Sequence, residues 1–334
     1  MGSKIVGNSY YLPETVCTND ELARIYPDWS STKILSKTGI NIRHVAKEEC
    51  VSDLAVNAAE KLLSEYGIDR QTVDFLMICT QSPDYLLPTT ACLVQDRLQL
   101  PTACGALDFN LGCSGFVYGL VMAKGLIAAG VAENIVLVTA DLYTRHIHPR
   151  DKSTRTIFGD AGTATLIQKS AKEHLGIPVL GTDGKGANNL MIPAGGMRLP
   201  HSPDTAIEET DESGSTRSKN NLYMNGPEIL NFTIQRIPPM VFDTLKKNNL
   251  TLQDIDLVVF HQANKFMLDY LRNKMGIPKE KFYECLKEVG NTVSSTIPIA
   301  LAEAVKEGRL QKGMKVLLAG FGVGYSWGSI VVEW

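Results

Sequence analysis

The chain has 334 residues, more than one hydrophobic core usually holds, so two packed halves or one large α/β unit are expected. Hydrophobic residues make up 44% and charged residues 21%, a composition that excludes a disordered or fibrous chain. The 33 Lys and Arg nearly balance the 36 Asp and Glu, which leaves no chain-wide electrostatic footprint for nucleic acid or an anionic membrane.

The opening MGSKIVGNSYYLPE holds no apolar run of signal-peptide length, and no later stretch reaches bilayer-spanning length without charges or turn residues. A soluble, cytoplasmic protein is therefore expected. Periodicity predicts a helix over 53–66, then a short buried strand over 75–79. A second helix is predicted over 115–129, followed by strands over 135–139 and 164–167. Segment 194–226 breaks this alternation. It is rich in Gly, Pro, Ser, Asp and Glu, and predicts a long surface excursion that is either functional or a solvated connector. Strand 257–260, helices 266–275 and 297–307, and strands 315–319 and 329–332 complete the chain. Strands alternating with helices predict an α/β fold with parallel pairing.

A weak internal repeat runs through these elements. Val73-Asp74-Phe75-Leu76-Met77-Ile78 resembles Ile255-Asp256-Leu257-Val258-Val259-Phe260 at an offset of 182, while Val136 and Val316 lie 180 apart. Gly112-Cys113 and Gly290-Asn291 each precede a helix, with Cys113 and Asn291 separated by 178. Any two strand-helix units share apolar strands and glycine-ended helices, but ordered agreement across several elements favours two duplicated halves. These are expected at 1–175, carrying the cysteine, and 176–334, carrying a histidine and an asparagine together with the excursion. Cys113 and Asn291 would then face each other from equivalent helix-opening positions.

Seven cysteines, none in a C-x-x-C pair, read as reduced thiols buried as small apolar residues. Cys113 stands apart. It sits in a glycine-flanked turn opening a helix, where backbone N–H groups and the helix dipole favour thiolate. His261 directly follows strand 257–260, and side chains at the carboxyl ends of α/β strands line ligand sites. Asn291 is expected to open a helix, where an N-cap role is the ordinary alternative. His146 and His148 lack an obvious third metal ligand, so no metal site is expected. The GFGVGYSWGS run, 320–329, is followed by a strand rather than a helix, which argues against a dinucleotide fingerprint. It better suits presenting backbone donors near Val323 to an oxyanion. From residue types alone, a Cys-His-Asn thiol hydrolase also fits.

Together Lys37-Thr38-Gly39-Ile40, the cysteine segment, Phe158-Gly159-Asp160-Ala161-Gly162, His261-Gln262-Ala263-Asn264, Gly290-Asn291-Thr292 and Trp327-Gly328-Ser329 resemble the β-ketoacyl-acyl carrier protein synthase III family. The resemblance implies a five-layered αβαβα thiolase-like fold, a homodimer and no metal or redox cofactor. It further implies that Cys113 carries the acyl group, with backbone N–H groups of Cys113 and the Val323 loop at the oxyanion. His261 and Asn291 would support decarboxylative condensation with malonyl-acyl carrier protein, initiating fatty acid or related acyl-chain synthesis. At the substrate-binding positions the chain departs from the family's pattern. Lys33 replaces a tryptophan, Lys37 and Lys152 replace arginines, Phe266 replaces a basic residue and Leu87 replaces a phenylalanine at the dimer-related pocket wall. Lysine keeps the charge but loses the planar fork, so delivery of the donor by a carrier protein is an alternative to coenzyme A. Lys265, Arg272 and Lys274 are candidate contacts for an acidic carrier protein. A specialised acyltransferase of secondary or surface-polymer metabolism is the alternative enzyme, and a noncatalytic partner subunit the alternative outside enzymes.

Overall fold

The computed structural model describes residues 2–334. All six expected strands form, most of them longer than expected. The first sheet has five strands: β1 (Gly2–Tyr11), β2 (Phe75–Cys79), β3 (Gly105–Phe109), β4 (Asn134–Asp141) and β5 (Ala161–Ser170), in the order β1-β5-β4-β2-β3. The second has four: β6 (Val179–Thr182), β7 (Leu257–Phe260), β8 (Lys315–Gly322) and β9 (Ser326–Glu333), in the order β7-β8-β9-β6. Strands β1, β3 and β6 escaped the sequence reading because none has a continuous apolar run.

The expected parallel pairing is found in part of each sheet, beside antiparallel pairs. In the first sheet β2 pairs parallel with β4, which pairs antiparallel with β5, and β5 is antiparallel to β1. The second sheet repeats that scheme through β7, β8, β9 and β6. Between β8 and β9 there is only Val323-Gly324-Tyr325, too short for a parallel crossover.

Six helices matter to the site: α1 (Ser31–Thr38), α2 (Val51–Glu65), α3 (Gly115–Ala128), α4 (Gly226–Lys247), α5 (Lys265–Lys274) and α6 (Thr296–Lys306). Strand alternation sorts them into layers. Leu76 and Ile78 of β2 face outward with Leu54, Ala58 and Leu62 of α2. Met77 faces inward and shares one core with Phe116 and Leu120 of α3, Ile297 and Leu301 of α6, and Leu257 and Val259 of β7. Val258 and Phe260 face outward to Val241 of α4 and Leu268 of α5. Helices α3 and α6 thus lie between the sheets, giving five layers. Helix α3, apolar nearly all round, is what a helix with neighbours on both sides requires.

Segment 194–226 is largely exposed, and it is tied to the body of the protein at a few points. Glu209–Thr210 pairs with Thr216–Arg217, and Tyr223–Met224 pairs with Leu190–Met191. Thr205, Ser215 and Leu222 are buried. Arg217 bridges the fully buried Asp151 at 3.2 Å and also pairs with Asp211. An acidic, glycine-containing composition concealed this anchoring because it depends on one distant carboxylate.

Leu120 is fully buried between the sheets, so Leu120→Ala should destabilise the protein by about 2–5 kcal/mol, measured as a lowered urea midpoint.

Candidate active site

Cys113 lies between β3 and α3, 6% exposed, in an apolar cluster with Tyr143, Phe158, Leu190, Leu222 and Val293. Its chain passes very close to the end of β8. A Cβ on Gly322 would lie 2.8 Å from the sulfur, and one on Gly320 would lie 2.6 Å from the Cys113 carbonyl. Glycine is required there for close approach. Backbone N–H groups of Val323 and of Cys113 itself point at the sulfur. Even so, burial, followed by the charge of Asp141, pushes the thiol up to about 12. The expectation of a resting thiolate is therefore corrected, because desolvation outweighs the two amides. Asp141, at the end of β4, is itself pushed up to about 7 by burial. It accepts hydrogen bonds from the Gln81 N–H at 2.8 Å and from the Ser294 hydroxyl.

His261 emerges at the end of β7, 2% exposed. Its Nδ1 lies 2.8 Å from Thr296 Oγ1, and its ring stands edge-on to Phe321 at 5.8 Å. Burial lowers the imidazole to about 3, so it is neutral at neutral pH.

Asn291 does not open a helix as expected. Residues Val293–Ser295 form a 3₁₀ turn first, and α6 starts at Thr296 with Ser295 as its N-cap. Instead the Asn291 Oδ1 accepts the Val293 N–H at 2.9 Å, holding Val293 at φ 57°, a strained conformation for a β-branched residue. The backbone of Asn291 is gripped by the segment leading into β5. Its N–H donates to the Ile157 carbonyl, and its carbonyl accepts from the Gly159 N–H, both at 3.0 Å. Asp160 anchors that grip by accepting from the Ala46 and Thr144 N–H groups at 3.0 and 3.1 Å.

Cys113, His261 and Asn291 line one cavity of about 50 Å³ with Phe158, Leu190, Phe321 and Gly322 among its walls. A larger cleft of about 540 Å³ lies along the excursion beside Arg217 and Tyr223, and it contains neither thiol nor imidazole. Among the described residues, no group of three or more His, Cys, Asp or Glu side chains could hold a metal ion, and no helix is long and apolar enough to cross a membrane.

The remaining expected residues lie outside the cavity. Lys33 and Lys37 stand on α1 with their ammonium groups 5.7 and 5.3 Å from the centre of the Trp29 ring. Trp29 was missed because it lies four residues ahead of Lys33. Lys152 is largely covered, 3.9 Å from Asp28 and close to Gly214 of the excursion. Phe266 is 60% and Leu87 83% exposed. Lys265 bridges Asp269 and Glu284 at 3.1 and 3.2 Å, and Arg272 approaches Asp269 at 4.0 Å. Lys274 lies over the Tyr270 ring. Much of that basic face is therefore neutralised locally. Thr296 and Asp141 also escaped the sequence reading, although Asp141 closes a strand and could have been found by the strand-end rule that located His261.

A five-layered αβαβα fold with thiol, imidazole and carboxamide on one cavity at the sheet ends defines a thiolase-like condensing enzyme. Residues 107–184 match the family described as 3-oxoacyl-[acyl-carrier-protein (ACP)] synthase III, and residues 245–334 match its C-terminal counterpart. Over 333 residues, 99% of both chains, the protein is 34% identical to the β-ketoacyl-[acyl-carrier-protein] synthase III of Clostridium perfringens strain SM101. A crystal structure of a 3-oxoacyl-(acyl-carrier-protein) synthase III superposes with a TM-score of 0.99 at 48% identity, covering 100% of both chains. The Thermus thermophilus synthase III gives 0.88 at 36% identity, covering 99% of both. The chain belongs to the β-ketoacyl-[acyl-carrier-protein] synthase III family.

Two titrations follow from this burial. Unfolded His261 takes up a proton below about pH 6.5 while the folded imidazole stays neutral until about pH 3, so stability falls as pH drops through that window. The slope should be about 1.4 kcal/mol per pH unit, absent in His261→Gln and read by urea titration at several pH values. For the thiol, iodoacetamide labelling of Cys113 should keep accelerating about tenfold per pH unit above pH 9, because the thiolate fraction is still rising.

Proposed function

We propose that the protein catalyses decarboxylative Claisen condensation between an acyl thioester and malonyl-acyl carrier protein through an acyl-Cys113 intermediate. The observation that carries this reading is the shared cavity of Cys113, His261 and Asn291. In the first stage Cys113 attacks the acyl carbonyl. Thiol and imidazole start neutral, so the sulfur loses its proton as the S–C bond forms, and the departing thiolate is its final acceptor. The N–H groups of Cys113 and Val323, which point at the sulfur, stabilise the oxyanion next to it.

In the second stage the malonyl thioester oxygen takes hydrogen bonds from Asn291 Nδ2 and His261 Nε2. Loss of carbon dioxide then leaves an enolate that attacks the acyl-cysteine. The Thr296 hydroxyl has one proton and two acceptors, His261 Nδ1 and the Val293 carbonyl. Donation to Nδ1 is the arrangement that leaves a proton on Nε2. The sulfur leaves as thiolate and regains a proton from solvent.

Residues 1–175 and 176–334 act as two halves, the first supplying the thiol and the second the imidazole and carboxamide. The working form is a homodimer in the cytoplasm. An open edge at β3 favours this, as does the exposed apolar run Tyr85, Leu86 and Leu87, which are 61%, 88% and 83% exposed. The pantetheine arm enters beside α1 and α5, where Gly39 packs against Lys265. There Lys33 and Lys37 offer point charges to its phosphate rather than planar forks. The chemistry calls on neither a metal nor a redox cofactor.

Incubation with acyl donors and malonyl-acyl carrier protein tests the reading. Cys113→Ala should abolish the acyl adduct, while Asn291→Ala and His261→Ala should still acylate but release carbon dioxide at least about 100-fold more slowly. Acylation of Cys113 without carbon dioxide release in the wild type would refute a condensing role. Leu86→Asp with Leu87→Asp should convert a dimer to a monomer in analytical ultracentrifugation.

A further inference from the structure

The mechanism leaves one buried carboxyl group without a task. Asp141 closes β4 with 1% exposure, and its hydrogen-bond donors come from two distant parts of the chain. On one side the Gln81 N–H donates to Oδ1 at 2.8 Å. On the other the Ser294 hydroxyl donates to Oδ2, and the Ser294 backbone N–H points at the same carboxyl group. Ser294 is itself 1% exposed. Neither side chain can turn to water instead, so each depends on the other.

Ser294 is the middle residue of the 3₁₀ turn Val293–Ser295, and that turn serves both hydrogen-bond donors of the second stage. Its Val293 N–H donates to Asn291 Oδ1 at 2.9 Å, which fixes the direction of Nδ2. Its Val293 carbonyl lies 3.1 Å from Thr296 Oγ1, which sits 2.8 Å from His261 Nδ1. Val293 stands at φ 57°, a conformation a β-branched residue leaves unless its surroundings over-determine it. Asn291 supplies one tie from the same segment. Asp141 supplies a tie from the first sheet, and a hydroxyl bonded to an ionised carboxylate is held more strongly than one bonded to a neutral group. Ser295 adds a neutral bond to the Thr139 carbonyl at 3.0 Å, one residue further on. Without Asp141 the turn can relax towards negative φ, moving the Val293 N–H off Oδ1 and shifting Thr296 beside the imidazole. Both donors then drift from the thioester oxygen.

We propose that Asp141, acting through Ser294, is the positioning residue for both Asn291 and His261 in the decarboxylating stage. It touches no substrate atom and works only through the turn. This rests on the condensation reading above and adds what aims its two donors.

The experiment follows the two stages separately in the full chain at pH 8: acylation of Cys113 by an acyl-coenzyme A donor, read by intact-protein mass spectrometry, and release of carbon dioxide from malonyl-acyl carrier protein. Ser294→Ala and Asp141→Asn should each slow carbon dioxide release about 10- to 100-fold, as expected for misplaced donors. Asparagine keeps the shape of Asp141 but has one acceptor oxygen for the Gln81 N–H and the two Ser294 donors. Acylation should stay above about one third of the wild-type rate, because the charge of Asp141 opposes thiolate at Cys113 and its removal does not hinder the first stage. The double variant should be at most about twofold slower than the slower single one, since both changes remove the same contact. Undiminished carbon dioxide release in Ser294→Ala overturns the inference, as do losses that multiply in the double variant. Equal losses in both stages also overturn it, marking Asp141 as support for the fold alone. Ser294→Ala removes a single oxygen, so its arm stands should Asp141→Asn fail to fold. If the wild type releases no carbon dioxide, the condensation reading falls and this inference with it.

Discussion

The site depends on a close approach of two backbones. The turn into α3 meets the end of β8 so tightly that a Cβ on Gly320 or Gly322 would stand within 3 Å of Cys113 atoms. That approach lets the Val323 N–H reach the sulfur and lets the second sheet bring His261 and Asn291 to the thiol of the first. It is possible because a single layer of helices, α3 and α6, separates the sheets. A thicker middle layer would leave thiol and imidazole at the ends of unrelated sheets.

Burial at this junction sets the chemistry. Removing water disfavours every charged form, pushing the thiol and Asp141 up and the imidazole down. The resting site is therefore nearly uncharged, and charge develops only as bonds form. Fixed amide and hydroxyl dipoles are most effective in such an environment, because they need no reorganisation when an oxyanion or enolate appears. The strained turn at Val293 belongs to the same arrangement. Asn291 holds it with Oδ1, leaving Nδ2 with only a 3.5 Å contact to the Ala263 carbonyl and thus available to a substrate oxygen.

Conservation of geometry across the halves comes from backbone pairing more than from side chains. Ile157-Phe158-Gly159, on the segment before β5, grips Asn291 through two backbone hydrogen bonds, and Asp160 ties that segment to Ala46 and Thr144. The excursion adds a further layer. Its Arg217 is pinned to the buried Asp151, and the Leu222 that follows packs into the cluster around Cys113. A segment of solvent-like composition thereby helps wall the thiol.

The sequence by itself determined the strands with apolar runs, the helices with a 3.6-residue period, and three residues worth testing: a cysteine between glycines, a histidine at a strand end and an asparagine at a matching offset. These signals are local, because side-chain period and turn chemistry are written in neighbouring residues. It did not reveal the antiparallel pairs of each sheet, the true role of Asn291 in a turn ahead of its helix, or the anchoring of 194–226. Nor could it reveal that Cys113 rests as a thiol. A helix terminus favours thiolate at an exposed turn, but Cys113 is buried in one cluster with Tyr143, Leu190, Leu222 and Val293, which come from positions far along the chain. Desolvation is a property of that assembled surrounding, so only the tertiary structure could decide the charge of the nucleophile and the room beside it.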